Sequence, residues 1–159
     1  VAALEAGEDV EAAVARFRSA AAPGPIVQNR AAIDAAFSGD SVGDILARLA
    51  ADGSDFAKEA AKAMGQKAPL SLAVALRQMQ VGAGLSFEEA MRTEFRIVSR
   101  ICRGPNFYEG VRATIIDKDQ QPAWKPARVE DVTQAAVDAI FAPLGAEELD
   151  LSGVVETSA

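Results

Sequence analysis

The sequence predicts an all-α protein, and three observations carry that expectation. Half of the 159 residues are hydrophobic, yet 34 of them are alanine. Alanine is the strongest helix former and loses no side-chain entropy on folding, so helices can form readily and pack closely. Apolar residues also recur at three- and four-residue spacing along most of the chain. The one β-rich stretch, Thr114-Ile115-Ile116, is too short to build a sheet.

The elements follow in order. Residues 9–22 place Val10, Ala13, Val14 and Phe17 on one helical face. Pro23-Gly24-Pro25 ends that helix, because proline has no N–H and clashes with the preceding turn. Residues 26–37 repeat the pattern with Val27, Ile33 and Phe37, and Ser38-Gly39-Asp40 makes a turn. Ser41, with Asp44 three residues on, is an N-cap for a helix through Ile45, Leu46 and Leu49. Asp52-Gly53-Ser54 stops it, and residues 56–64 form a short helix rich in alanine and lysine. Pro69 opens the next helix at its first turn, with Leu72, Leu76 and Met79 as its stripe and Gly82-Ala83-Gly84 as its C-cap. Ser86-Phe87-Glu88-Glu89 is a capping box that opens the longest helix, expected to reach about Arg103. Phe87, Met91, Phe95, Val98 and Cys102 share one face of it, with acids at its start and Arg100 and Arg103 at its end, as the helix dipole favours. After Gly104-Pro105, Asn106 is expected to cap a short helix through Ile116. A loop over 117–128 holds Trp124 between Pro122 and Pro126. Thr133 caps a last helix to Phe141, and residues 153–159 are expected to fray.

Charge and composition exclude several function classes. Sixteen basic residues against 23 acidic ones leave a net charge of −7 with no basic block. That argues against a nucleic-acid interface and a polybasic membrane anchor. No apolar run approaches the ~20 residues needed to span a bilayer. The first ten residues lack the pattern of a signal peptide. With no histidine, His-based acid–base chemistry, His–Asp triads and ordinary zinc sites are excluded. A single cysteine fits a reducing compartment, and a cytoplasmic location is expected. The chain starts at Val1, and we expect it to begin inside a longer gene product.

Few constellations could carry chemistry. Glu109, Asp117 and Asp119 form either an acid–base or metal cluster or a solvated turn after a helix. The turn is favoured, because no Asp-x-Asp-x-Asp-Gly loop is present. Glu147, Glu148 and Asp150 read as an acidic surface patch. Cys102 lies on an apolar stripe with no histidine to activate it, so it reads as a small hydrophobe. Gly82-Ala83-Gly84 lacks the frame of a phosphate cradle. Arg96, Arg100 and Arg103 form one basic stripe, suited to anion contact or to salt bridges with glutamates of neighbouring helices. Trp124 reads as an anchor that fastens its loop to the helices. From the residues alone we assign no catalytic and no metal-binding residue.

One stretch is more telling. Asn106-Phe107-Tyr108-Glu109-Gly110-Val111-Arg112-Ala113, then Ile116-Asp117-Lys118-Asp119, then Pro122-Ala123-Trp124-Lys125-Pro126 resembles the C-terminal signature of the 3-hydroxyisobutyryl-CoA hydrolases. These are a branch of the enoyl-CoA hydratase/isomerase (crotonase) superfamily. Ala68-Pro69-Leu70-Ser71-Leu72, Leu76-Arg77-Gln78 and Thr93-Glu94-Phe95-Arg96 are similar to upstream family segments, and the likeness runs over about residues 26–150. The resemblance implies the helical C-terminal region of a crotonase-like α/β fold whose β-α core is absent from this chain. It divides the chain into a helical linker or lid (1–65), a C-terminal helical region bearing the signature (66–151) and a flexible tail (152–159). In such enzymes two backbone N–H groups hold the thioester carbonyl, and acidic side chains act on water or substrate. All of these belong to the core, so none has a counterpart here, and the chain in isolation is expected to be inactive. The expected partners are an acyl-CoA substrate, reached through that core, and a crotonase-type core or like subunit. One residue carries over: Lys118 matches the lysine that approaches the CoA nucleotide in the hydratase branch, although its spacing from Glu109-Gly110 is one residue longer here. A surface lysine in a turn is the alternative.

Overall fold

The computed structural model describes residues 5–7, 9–19 and 22–153, and among them every regular element is a helix. Nine α-helices have defined bounds: α1 Val10–Ala15, α2 Pro25–Gln28, α3 Arg30–Phe37, α4 Val42–Asp52, α5 Asp55–Gly65, α6 Pro69–Gly82, α7 Phe87–Ile101, α8 Pro105–Val111 and α9 Gln134–Phe141. A π turn, Arg112–Ile116, extends α8, and 3-10 turns lie at Val129–Asp131 and Gly145–Glu147.

The caps explain most boundaries. Asp9, Ser41, Ser54, Ser86 and Thr133 each accept a hydrogen bond from a backbone N–H of the first turn that would otherwise be orphaned. Ser86 and Glu89 form a complete capping box, with Glu89 Oε2 taking the Ser86 N–H at 2.9 Å. Gly53 ends α4 at φ 65°, a left-handed conformation that a Cβ would disfavour.

Several expectations need correction. The helix foreseen over 26–37 is two helices, parted at Asn29, whose backbone (φ −101°, ψ 11°) leaves the helical range while its side-chain amide also donates to Pro25 O. The first helix stops at Ala15 rather than running to residue 22, and residues 20–21 lie outside the described residues, as does most of the expected frayed tail. Gly82 is the last residue of α6, and right-handed Ala83 is its C-cap. Asn106 does not cap α8; Gly104 holds that position with Pro105 at N1, and the Asn106 side chain is used elsewhere.

The core is small and its residues are mostly small. Ala36, Ile45, Leu49 and Ala57 form its centre, with Phe56, Met64 and Leu76 packed against it from α5 and α6. Leu49 is 1% exposed, worth about 1.5–3 kcal/mol of apolar burial. Arg48 fastens α4 to α3 by donating to Ala35 O and Ser38 Oγ. Further along, Gln78 of α6 bonds Glu94 of α7. Arg100 donates to Ile140 O, in the last turn of α9, and to Pro143 O just beyond it, so α7 meets the end of α9.

The face of α7 differs most from expectation. Its one buried residue is Ile97, whereas Phe87 is 72% exposed and Val98 50% exposed. The apolar stripe is present but only partly covered: Phe95 and Cys102 are half-buried, while Phe87, Met91 and Val98 stay exposed among the described residues.

Candidate functional site

The signature stretch folds into one closed unit. Pro105 starts α8 with its fixed φ, and the helix widens at Arg112 into a π turn whose Asp117 N–H reaches Arg112 O at 2.8 Å. The chain then reverses. Gln120 N–H returns to Ala113 O at 3.0 Å, and residues 121–125 run back beside the start of α8.

Arg112 is the centre of this reversal. Its Nε and Nη2 take Glu109 in a two-pronged pair at 3.0 and 2.8 Å, and Nη1 lies 2.6 Å from both Asp117 and Asp119. Nη2 also donates to Gln121 O at 3.1 Å. Glu109 in turn accepts the Ala123 N–H at 2.7 Å, so the helix and the returning strand of loop share one carboxylate. These are charge-assisted bonds, stronger than neutral ones, and the planar guanidinium suits them as an ammonium would not.

The electrostatics follow from that geometry. Hydrogen bonds from Arg112, then from Ala123 N–H, hold Glu109 down to about 2. Arg112 and the Gln121 N–H likewise lower Asp119, while Glu109, Asp119 and Asp117 raise Arg112. Acids held this low, with their oxygens already engaged, cannot move protons at neutral pH. The three acids do come together, as the cluster reading required, but around a guanidinium that leaves no room for a cation. Their chemistry here is that of a clamp.

Two further ties complete the unit. Asn106 and Lys125 exchange a pair of bonds, Nδ2 to Lys125 O at 2.7 Å and Lys125 N to Oδ1 at 2.8 Å. Trp124 lies over Gly110, and its Nε1–H reaches back to Gln66 O at 3.2 Å. It is the anchor that the flanking prolines suggested. Between this unit, the 66–71 segment and the end of α7 opens a cleft of about 890 Å³, mostly apolar, lined among others by Lys67, Leu70, Arg100, Phe107 and Trp124.

Lys118 stands at the tip. It is exposed, sits at φ 57°, and does not line the cleft. Arg96 and Arg103 pair with Glu148 at 2.8 Å and Glu147 at 3.7 Å, so the basic stripe and the acidic patch neutralise one another. Burial pushes Glu148 up, but the Arg96 bond, with the Leu144 N–H, outweighs it and the net shift is down. Cys102 is half-buried at the end of α7. The residue that sequence reasoning missed is Arg112. Its signal was the three-residue spacing from Glu109, one helical turn, with Asp117 and Asp119 just beyond.

The helices superpose on crotonase-fold enzymes and correspond to the helical C-terminal region of that fold. A carnitinyl-CoA dehydratase from Mycobacterium thermoresistibile matches with a TM-score of 0.81 at 34% identity, over 91% of this chain and 41% of that one. An enoyl-CoA hydratase from Rhodobacter sphaeroides 2.4.1 matches at 0.77 and 36%, over 94% and 43%. The enoyl-CoA hydratase/isomerase family model matches residues 1–141, and the chain belongs to that family. Within it the chain is similar to the mitochondrial 3-hydroxyisobutyryl-CoA hydrolases of Gallus gallus, 44% identical over 119 residues, and Xenopus laevis, 39% identical over 129. Those matches take in 75% and 81% of this chain but only 31% and 34% of the relatives' length.

Proposed function

We propose that this chain is the helical part of an acyl-CoA thioester hydrolase of the 3-hydroxyisobutyryl-CoA type, serving valine breakdown. In the reaction, water attacks the thioester carbonyl, the C–S bond breaks, and a short branched hydroxy acid and CoA are released. The groups that polarise the carbonyl and activate water belong to a β-α core. This chain covers that core or a like subunit and contributes Lys118 to the phosphates of the CoA nucleotide. The observation that carries the reading is the Arg112 clamp. Its members Glu109, Arg112, Asp117 and Asp119 belong to the stretch that resembles the hydrolases, which also holds Lys118 and Trp124. The exposed Phe87, Met91 and Val98 of α7 are consistent with a helical region that works against a partner surface. The names of the two structural relatives favour a second reading, hydration or dehydration of an enoyl-CoA.

The test assays the chain alone and together with a crotonase-type core. Free thiol release from 3-hydroxyisobutyryl-CoA and loss of the conjugated double bond of crotonyl-CoA are the two measurements. We expect thiol release from the assembly and none from the chain alone. Hydration without thiol release would establish the second reading. An inactive mixture in which no complex forms would sink both and leave a non-catalytic interaction module.

A further inference from the structure

Two features of the 117–121 loop have no role in packing. Lys118 and Gln120 both lie at φ 57°, although neither is glycine. A left-handed conformation disfavours a residue with a Cβ, and two of them so close persist only where the surroundings force them. The forcing is visible. Arg112 holds Asp117 and Asp119 on one guanidinium nitrogen and takes Gln121 O on the other, and Gln120 N–H is tied to Ala113 O. Lys118 is therefore bracketed by two bonds to the same side chain.

The second feature is electrostatic. A lysine between two aspartates would ordinarily be screened by them. Here both carboxylates are turned onto Arg112, and among the described residues Lys118 has no ion pair. Its flanking counter-charges are withdrawn by the same contacts that bend the backbone.

We infer that Arg112 is a positioning residue: it locks the loop and removes the two aspartates from Lys118, leaving the ammonium as a preformed contact for the phosphates of the CoA nucleotide. This rests on the Lys118 reading above. An ammonium held ready and unpaired loses less freedom on binding a phosphate than one that must first leave a carboxylate. Arginine is needed because one lysine could not hold Glu109, both aspartates and a carbonyl in fixed directions.

The test uses the whole chain, isotope-labelled, titrated with coenzyme A and separately with pantetheine, which lacks the nucleotide. Amide shifts and exchange rates at 117–121 are read by NMR for the native chain, Arg112→Met, Arg112→Lys and Lys118→Met. We expect coenzyme A but not pantetheine to shift these amides in the native chain. Lys118→Met should abolish the shifts while Gln120 keeps its slow exchange. Arg112→Met should abolish the shifts and speed Gln120 exchange at least ten-fold, and Arg112→Lys should recover the exchange only in part. Unchanged helical circular dichroism in each variant keeps loss of fold out of the comparison. If Lys118→Met loses the shifts and Arg112→Met keeps them, the positioning role is wrong and the Lys118 reading survives. If Arg112→Met loses the shifts with no change in exchange, Arg112 touches the ligand itself and positioning is again wrong. If coenzyme A shifts nothing, or shifts Lys118→Met equally, the Lys118 reading falls and takes the inference with it.

Discussion

Replacing Gly110 by alanine sets two effects of similar size against each other. In the middle of a helix the change favours folding by about 0.8–1.0 kcal/mol, because glycine loses the most backbone freedom. At Gly110 the new Cβ would stand 3.3 Å from Trp124 Cη2 and 3.6 Å from Cζ3. Carbon atoms prefer roughly 3.5–4.0 Å, so the ring must retreat by about 0.3 Å. It is poorly placed to do so. Its Nε1–H bond to Gln66 O is already 3.2 Å long, and the next residue is clasped by Asn106. A retreat that breaks the indole bond forfeits about 1 kcal/mol. Gly110→Ala should therefore leave stability within about 0.5 kcal/mol of the native chain. Trp124→Ala alone should cost about 2 kcal/mol, the ring being only half-buried. With the ring gone, Gly110→Ala should stabilise by about 1 kcal/mol, the full helix-propensity gain. Urea melts of the four proteins give the coupling energy directly, expected near 1 kcal/mol. A coupling below about 0.3 kcal/mol would show that the glycine is not there to admit the tryptophan.

Three further outcomes follow from the same geometry. Glu109 titrates near 2 in the folded chain against an ordinary 4.5, and Asp119 and Glu148 are also lowered. The stabilisation from Glu109 is whole above about 4.5 and is lost as pH falls towards 2, with Asp119 and Glu148 adding losses of the same sign, and denaturant midpoints across that window should show Glu109→Gln with a shallower slope. Gln120→Gly should stabilise by about 0.5–1 kcal/mol, since glycine accepts the left-handed backbone freely, and a loss in thermal melting would count against strain at that position. Phe87→Ser and Val98→Ser should each change stability by no more than about 0.5 kcal/mol while reducing hydrophobic-dye binding or self-association; a loss above ~1.5 kcal/mol would mean that the α7 stripe is buried after all.

Much of this was legible along the chain, and the reason is locality. Ser41, Ser86 and Thr133 act on N–H groups three residues away, so their caps can be read without knowing the fold. Spacing predicted the stripe of α7, and the glutamates and arginines at its two ends satisfy a dipole that belongs to the helix alone. Where a local rule met a distant competitor, the distant one won. Asn106 is a good cap by type, but its side chain bonds Lys125.

What the sequence by itself determined, then, was the helices, most of their ends and the kinship of residues 106–126 with one enzyme family. Each depends on residue type and short-range spacing. Only the tertiary structure decided which side of each helix is covered, since burial depends on what arrives from elsewhere in the chain. It covered Leu49 and left Phe87 open. It also decided what Glu109, Asp117 and Asp119 do together. Three acids separated by as many as ten residues could hold a cation or face water. The reversal after the π turn brings them onto Arg112, and the finite reach of one guanidinium makes them a clamp.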